Sequence, residues 1–124
     1  MSLDPRPLAP ALTAAREAGW TVLRLDLDGV RSKDAVLRRC GRALEAPDWF
    51  GGNWDALADA ARDLSWLPPA PGRLLAVTAW RPYAAERPHD WDVLREVLEE
   101  AVDFWRDAED EPPLTVLLAA PERP

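Results

Sequence analysis

The chain has very few of the residues that build covalent and metal-bound sites. Its 124 residues include one cysteine, Cys40, one histidine, His89, and one lysine, Lys33. A single cysteine cannot form a disulfide within the chain, which is typical of a reducing compartment. One cysteine and one histidine also cannot supply the Cys and His ligands of a zinc site. We therefore expect no disulfide, no metal and no other cofactor.

Long apolar runs are missing as well. No stretch approaches the roughly 20 consecutive apolar residues that span a bilayer. The N-terminal segment contains Asp4, Pro5, Pro7 and Pro10 instead of the apolar core of a secretory signal. We expect a cytoplasmic protein that does not bind membranes.

Positive charge is in deficit, with 15 Lys and Arg against 22 Asp and Glu, a formal net charge of −7. Nucleic acids and anionic membranes repel such a chain, so a basic protein is the partner that the charge favours. The length is typical of one domain with a modest core. We expect a monomer when the protein is free.

Apolar periodicity predicts three strands separated by helices. The predicted strands cover 20–27, 73–80 and 114–120, and the predicted helices cover 11–18, 33–44, 53–64 and a long segment that begins after residue 90. The predicted N-caps are Ser32, Asn53 and Asp90. Residues 1–10 are expected to be a loose proline-rich leader, 82–89 a loop, and 121–124 a frayed tail. The pattern predicts an α/β fold with a small three-stranded parallel sheet packed with helices. We divide the chain into a leader with a short helix over 1–19, one domain over 20–120, and the tail.

Helical spacing also predicts which side chains of the last helix face the core. Those predicted to point inward are Val93, Leu94, Val97, Leu98, Ala101, Phe104 and Trp105. The acidic residues on the other face are Asp92, Glu96, Glu99, Glu100 and Asp103. His89 is expected in an exposed loop, and Cys40 on the apolar face of its helix.

Residues 47–59, with the sequence PDWFGGNWDALAD, are the most informative segment. The residues predicted to form one buried stripe are Trp54, Leu57, Ala61 and Leu64, and those on the opposite side are Asp55, Asp59 and Asp63. Such an acidic stripe is either an ordinary solvated face or a surface that meets positive charge.

The same segment closely resembles the central motif of the barstar family, intracellular inhibitors of a secreted ribonuclease. The motif consists of two aromatics and then Gly-x-Asn-x-Asp-Ala-Leu-x-Asp, preceded by Leu-x-x-Pro. The order of elements around Val30-Arg31-Ser32 and Trp80-Arg81 also agrees, so the resemblance covers about residues 20–120. It implies a three-stranded parallel sheet packed with helices, and a protein that binds a basic ribonuclease, or a related nuclease, without catalysing a reaction.

The resemblance further implies which residues contact the partner. These are Trp49, Gly51, Gly52, Asn53, Asp55, Ala58, Asp59 and Glu100, with Glu99 as the alternative to Glu100. Asp59 would enter the phosphate-binding pocket of the enzyme, Asp55 would hold a second cationic group, and Trp49 would stack on the partner. Ala58 departs from the family, which often has an aromatic at this position. The first 20 residues or so have no counterpart in short family members.

Two other functions stay open. One is an acidic interaction or regulatory module, or an immunity protein against another nuclease toxin. The other is a magnesium-dependent phosphatase, because LDLDGV over 25–30 resembles the nucleophile loop of haloacid dehalogenase-like phosphatases, with Asp26 as the nucleophile. No acidic pair follows the later strands, however, and the plain interpretation is a polar strand end that turns through Asp28 and Gly29.

Overall fold

The sheet has four parallel strands, one more than the sequence predicted. The computed structural model describes residues 3–48 and 51–121. The elements are β1 (Pro5–Arg6), α1 (Leu8–Glu17), β2 (Thr21–Asp26), α2 (Lys33–Ala43), α3 (Trp54–Ala61), β3 (Arg73–Thr78), α4 (Arg81–Glu86), α5 (Pro88–Asp107) and β4 (Leu114–Ala119). The strand order is β1-β4-β3-β2. The predicted α/β class and parallel sheet are confirmed, and the count of three strands is wrong.

The additional strand lies in the segment that was expected to be a loose leader. Pro5 pairs with Leu118 and Arg6 with Ala119. The backbone N–H of Ala120 also donates to the carbonyl oxygen of Arg6 at 2.8 Å. Proline lacks an N–H donor, so sheets accept it mainly in edge strands such as this one. Two residues are too few to show an alternating pattern, and the sequence therefore gave no sign of β1.

Successive side chains of a strand point to opposite faces of the sheet, and the larger core lies on one of those faces. Helices α2, α3, α4 and α5 all contribute buried side chains there. The strand residues on this face include Leu23, Leu25, Leu75, Val77, Val116 and Leu118. Cys40 of α2 is buried among them, as predicted.

The second face is covered by α1. Leu12 and Ala15 of this helix pack against Leu74 of β3 and Leu117 of β4 in a smaller cluster. Gly19 follows with a positive φ of 75°, the left-handed conformation in which helices commonly end. The N-terminal segment thus contributes both an edge strand and the cover of the second face.

Two of the three predicted N-caps are confirmed. The Ser32 hydroxyl accepts the Ala35 N–H at 3.1 Å, and Oδ1 of Asn53 accepts the Ala56 N–H at 2.7 Å. Caps of this kind contribute about 0.5–2 kcal/mol each, so the starts of α2 and α3 are well fixed.

The third cap and the loop before it were predicted wrongly. Residues 82–89 are not a loop, because α4 covers Arg81–Glu86 and α5 begins at Pro88. The N-cap of α5 is Arg87, whose Nε donates to Oδ2 of Asp90 at 2.9 Å. Proline is well accepted in the first turn of a helix, and the prolines that indicated a loop occupy the first turns of α4 and α5 instead.

Helix α5 faces the core slightly differently from the prediction. Its buried residues are Trp91, Leu94, Leu98, Ala101, Val102 and Trp105. Phe104, predicted to point inward, is 44% exposed, because it lies about 100° around the helix from Trp105. His89 is exposed as expected, but it lies in the first turn of α5. Within 3–48 and 51–121, no helix is both long and apolar enough to cross a membrane.

Candidate functional site

The segment with the unusual motif forms the turn and helix that present the acidic residues. Gly51 and Gly52 are exposed and lead into Asn53, the N-cap of α3. Gly52 has a positive φ of 69°, which residues other than glycine rarely adopt. The Leu57 N–H donates to the Asn53 carbonyl at 2.9 Å, so both the backbone and the side chain of Asn53 fix the first turn.

One face of α3 is anchored in the core. Leu57 is 0% exposed, and Ala61 is buried beside it, while Trp54 is only half-buried and packs on the edge of the same core. The indole N–H of Trp105 in α5 donates to the Ala61 carbonyl at 2.8 Å. These contacts orient the helix so that its opposite face points toward solvent.

Asp55 and Asp59 lie on that exposed face, as predicted. Asp59 is 74% exposed, and its Oδ1 accepts a hydrogen bond from Nη2 of Arg62 at 3.1 Å. Nε of Arg62 also donates to the Ala58 carbonyl at 3.1 Å, which holds the guanidinium beside Asp59. Asp55 pairs with no basic side chain in the described part of the chain. The sequence analysis missed Arg62, although its i,i+3 spacing from Asp59 is a known signal for such a pair.

The acidic stripe is shorter than the sequence predicted. Helix α3 ends at Ala61, and Asp63 lies beyond it. Oδ1 of Asp63 accepts the Ser65 N–H at 3.2 Å, and Leu64 next to it has a positive φ of 53°. Asp63 thus stabilises the turn that leaves the helix, and it does not extend the row of Asp55 and Asp59.

The two alternatives on α5 differ in their surroundings. Glu99 is partly buried and lies 3.7 Å from Nη2 of Arg95. Glu100 is exposed and forms no ion pair with any residue that the structure describes. Of these two acids, Glu100 is the one whose charge is free to meet a partner.

The other two predicted contact residues are Ala58 and Trp49. Ala58 is half-buried on α3, between Asp55 and Asp59 along the chain. The predicted stacking residue Trp49 and its neighbour Phe50 lie outside the described residues, as does the expected frayed tail apart from Pro121.

The residues that were considered for phosphatase or thiol chemistry, Asp26 and Cys40, have structural roles. Oδ1 of Asp26 accepts the Asp28 N–H at 3.0 Å, and Gly29 follows with a φ of 74°, which is the geometry of a strand end that turns. Burial raises the pKa of the Cys40 thiol to about 12, so the thiol is neutral and no nucleophile near pH 7. Across residues 3–48 and 51–121, no three His, Cys, Asp or Glu side chains are grouped to hold a metal ion.

A comparison with known families decides what kind of protein carries this geometry. A family model described as Barstar (barnase inhibitor) matches residues 20–119. The chain belongs to the barstar family. The match spans β2 through β4 and includes α3 with its acids, whereas β1 and α1 precede it. Membership of this family indicates a barnase-inhibitor-like protein, and it implies a ribonuclease partner. No curated protein sequence matches the chain.

Proposed function

We propose that this protein inhibits a basic ribonuclease, or a related nuclease, by covering its active site with the exposed face of α3. The observation that carries the proposal is an acidic, solvent-exposed helix face, with Asp55 and Asp59 one turn apart, within the part of the chain that matches barnase inhibitors. A nuclease active site must attract the phosphates of its substrate, and a carboxylate on a rigid surface can take the place of such a phosphate.

Asp59 is the residue best placed to enter the phosphate site. Its only charged partner within the described residues is Arg62, in an ion pair whose side chains are 74% and 44% exposed. Exposed pairs of this kind contribute about 0.2–1 kcal/mol, so arginine or protonated histidine side chains of an enzyme can replace Arg62 at little cost. Asp55, one turn earlier, would then bind a second cation at the rim.

The structure gives the acidic face little freedom to lose on binding. The first turn of α3 is held by the hydrogen bonds of Asn53, and the helix is joined to α5 through the bond between Trp105 and Ala61. A surface that is already ordered loses less conformational entropy when it associates, and more of the contact energy then becomes affinity.

Contacts outside α3 complete the proposed interface. Glu100 of α5 carries an unpaired negative charge and would contact an outlying basic group of the enzyme. Gly51 and Gly52 would let the backbone approach closely, and Trp49 would stack on the partner. Ala58 offers a small side chain between the two acids, so the proposed partner needs a side chain that fills this space.

An inhibition assay tests the proposal directly, and barnase is the first enzyme to use because the family is described as its inhibitor. Purified protein is titrated into barnase, and RNA cleavage is followed. We expect activity to fall to its end point near one inhibitor per enzyme. If barnase stays active, the protein is used as bait to capture basic nucleases, and each captured enzyme is assayed in the same way. The proposal fails if barnase and every captured nuclease remain fully active in excess inhibitor.

A further inference from the structure

A pocket of about 380 Å³ lies at the carboxyl ends of the strands, between residues of α1 and α4. It is lined by Leu8 of α1, Arg24 of β2, Thr78 of β3, and Arg81, Pro82 and Pro121 from the segments that follow the strands. We call it the strand-end pocket. In open α/β sheets, small ligands bind preferentially at the carboxyl ends of the strands. The volume is also within the range of small-molecule sites, about 300–1,000 Å³.

Two arginines give this pocket a positive charge in a chain whose net charge is −7. Neither Arg24 nor Arg81 forms an ion pair with any described residue. Asp26 follows Arg24 by two residues on the same face, but its carboxylate accepts the Asp28 N–H and does not pair with Arg24. Free guanidinium groups in a pocket favour an anionic ligand, because each offers several N–H donors in a fixed plane.

The guanidinium of Arg81 is held in place before any ligand arrives. Its central carbon lies 4.3 Å from the centroid of the Trp80 ring, a cation–π arrangement. The same ring also stacks on Trp91, with centroids 5.2 Å apart and an interplanar angle of 4°. The indole N–H of Trp80 also donates to the Ala119 carbonyl at 3.0 Å. The donors of Arg81 are therefore pre-organised without being used by the protein itself.

The backbone at the same place is in an unusual conformation. Ala79, which lines the pocket directly after β3, has a positive φ of 53°, and alanine rarely adopts this region. Residues in sparsely populated conformations concentrate at ligand-binding positions.

We propose that the strand-end pocket binds a small organic anion, a phosphate ester or carboxylate with a compact apolar body. Arg24 and Arg81 would hold the anionic group, and the Thr78 hydroxyl would donate a further hydrogen bond. The apolar body would lie against Leu8 and the rings of Pro82 and Pro121. A nucleic acid strand is a poorer ligand, because the pocket is small and the net charge of −7 repels a long polyanion.

The test is an NMR titration of the full chain with phenyl phosphate, with benzoate, and with benzyl alcohol as the neutral analogue. We expect saturable shifts at the amides of Thr78 and Ala79 and at the indole N–H of Trp80, with a Kd of about 1 mM or lower for at least one anion. The tighter of the two anions identifies the ligand as a phosphate ester or a carboxylate. Benzyl alcohol binding as tightly as the anions would overturn the proposal, and so would shifts that do not saturate.

Matched variants decide whether the two arginines are responsible. Arg24→Gln and Arg81→Gln should each weaken binding at least about tenfold, since charge-assisted hydrogen bonds to the anion are lost. Arg38→Gln removes the same charge from an exposed position on α2 and should change the Kd by less than about twofold. Arg81 is the first residue of α4, so the folding of Arg81→Gln is first checked by circular dichroism. If Arg81→Gln does not fold, the result for Arg24→Gln decides the test. Wild-type affinity in a folded Arg24→Gln protein, or an equal loss in Arg38→Gln, would refute the assignment.

Discussion

Replacing Asp59 by alanine should separate inhibition from folding. The side chain is 74% exposed and interacts with Arg62 through a single ion pair at 3.1 Å. Losing an exposed pair costs about 0.2–1 kcal/mol, and alanine is the better helix former, so the free energy of unfolding should change by less than about 1 kcal/mol.

The effect on binding should be much larger. Removing one member of a charge pair buried in a protein interface costs about 2–5 kcal/mol or more, a range taken from measured complexes that include barnase and barstar themselves. At about 1.4 kcal/mol per factor of ten, that range corresponds to a thirtyfold to several thousandfold weaker inhibition. The exposed pair with Arg62 reduces this figure only slightly, because an exposed pair is worth at most about 1 kcal/mol.

Two measurements on the same protein test the prediction. Urea unfolding gives the stability, and nuclease inhibition at several concentrations gives the inhibition constant. Glu17→Ala is the matched control, because it removes one exposed negative charge from α1, on the opposite face of the sheet. An Asp59→Ala protein that folds and inhibits like the wild type would refute the mechanism. An equal loss in Glu17→Ala would show that total charge, and not the position of Asp59, determines the binding.

Three further predictions concern the same helix. Leu57→Ala removes a side chain that is 0% exposed and should destabilise the fold by about 2–5 kcal/mol. A urea midpoint equal to that of the wild type would show that the buried face is assigned wrongly. Arg62→Gln frees Asp59 and should tighten nuclease binding up to about fivefold by calorimetry, since an exposed pair is worth at most about 1 kcal/mol; unchanged or weaker binding would mean that Arg62 does not compete with the partner. The association rate measured by stopped flow should fall at least about tenfold between 0.1 M and 1 M salt, where the screening length shortens from about 10 Å to about 3 Å. If salt does not change the association rate, the acidic face does not attract the partner and is an ordinary solvated surface.

The parts of the fold that the sequence predicted are those that rest on local chemistry. Ser32 and Asn53 cap their helices because a short oxygen-bearing side chain can accept the free N–H groups of the first turn. The three longer strands were visible because β3 and β4 are largely apolar runs that the sheet buries, while β2 alternates buried apolar residues with exposed polar ones. The acidic face of α3 was predicted from the helical period, and this prediction is correct for Asp55 and Asp59.

The errors arose where the local signal was short or could be interpreted in two ways. Strand β1 has only two residues and depends on pairing with β4, which is distant in sequence. Proline is common both in loops and in the first turns of helices, and here Pro82 and Pro88 lie in the first turns of α4 and α5. Asp63 follows Asp59 at the same four-residue spacing, but the helix ends at Ala61. The spacing of the acidic residues alone does not show where the helix ends.

The strand-end pocket could not be predicted from the sequence, because it depends on the order of the strands. Arg24 and Arg81 are 57 positions apart in the sequence, and they approach each other because β2 and β3 are neighbours in register. The same topology keeps the pocket apart from the acidic helix. Arg24 and Thr78 alternate along their strands with the core-facing Leu25 and Val77, so the sheet lies between these two residues of the pocket and α3, whereas Trp80, after β3, packs against the larger core.

This separation makes the two proposed sites independent in an experiment. A variant that loses Asp59 should still bind the small anion, because no charge of the strand-end pocket lies on α3. A variant that loses Arg24 should still inhibit the nuclease, because its guanidinium is on the face covered by α1. If either substitution abolished both activities in a folded protein, the sheet would not insulate the two faces, and a change transmitted through the core would have to connect them. The alternative result is that the Asp59 variant loses only nuclease inhibition and the Arg24 variant loses only anion binding. This would show that one small parallel sheet supports both an acidic surface for a protein and a separate basic pocket for a small anion.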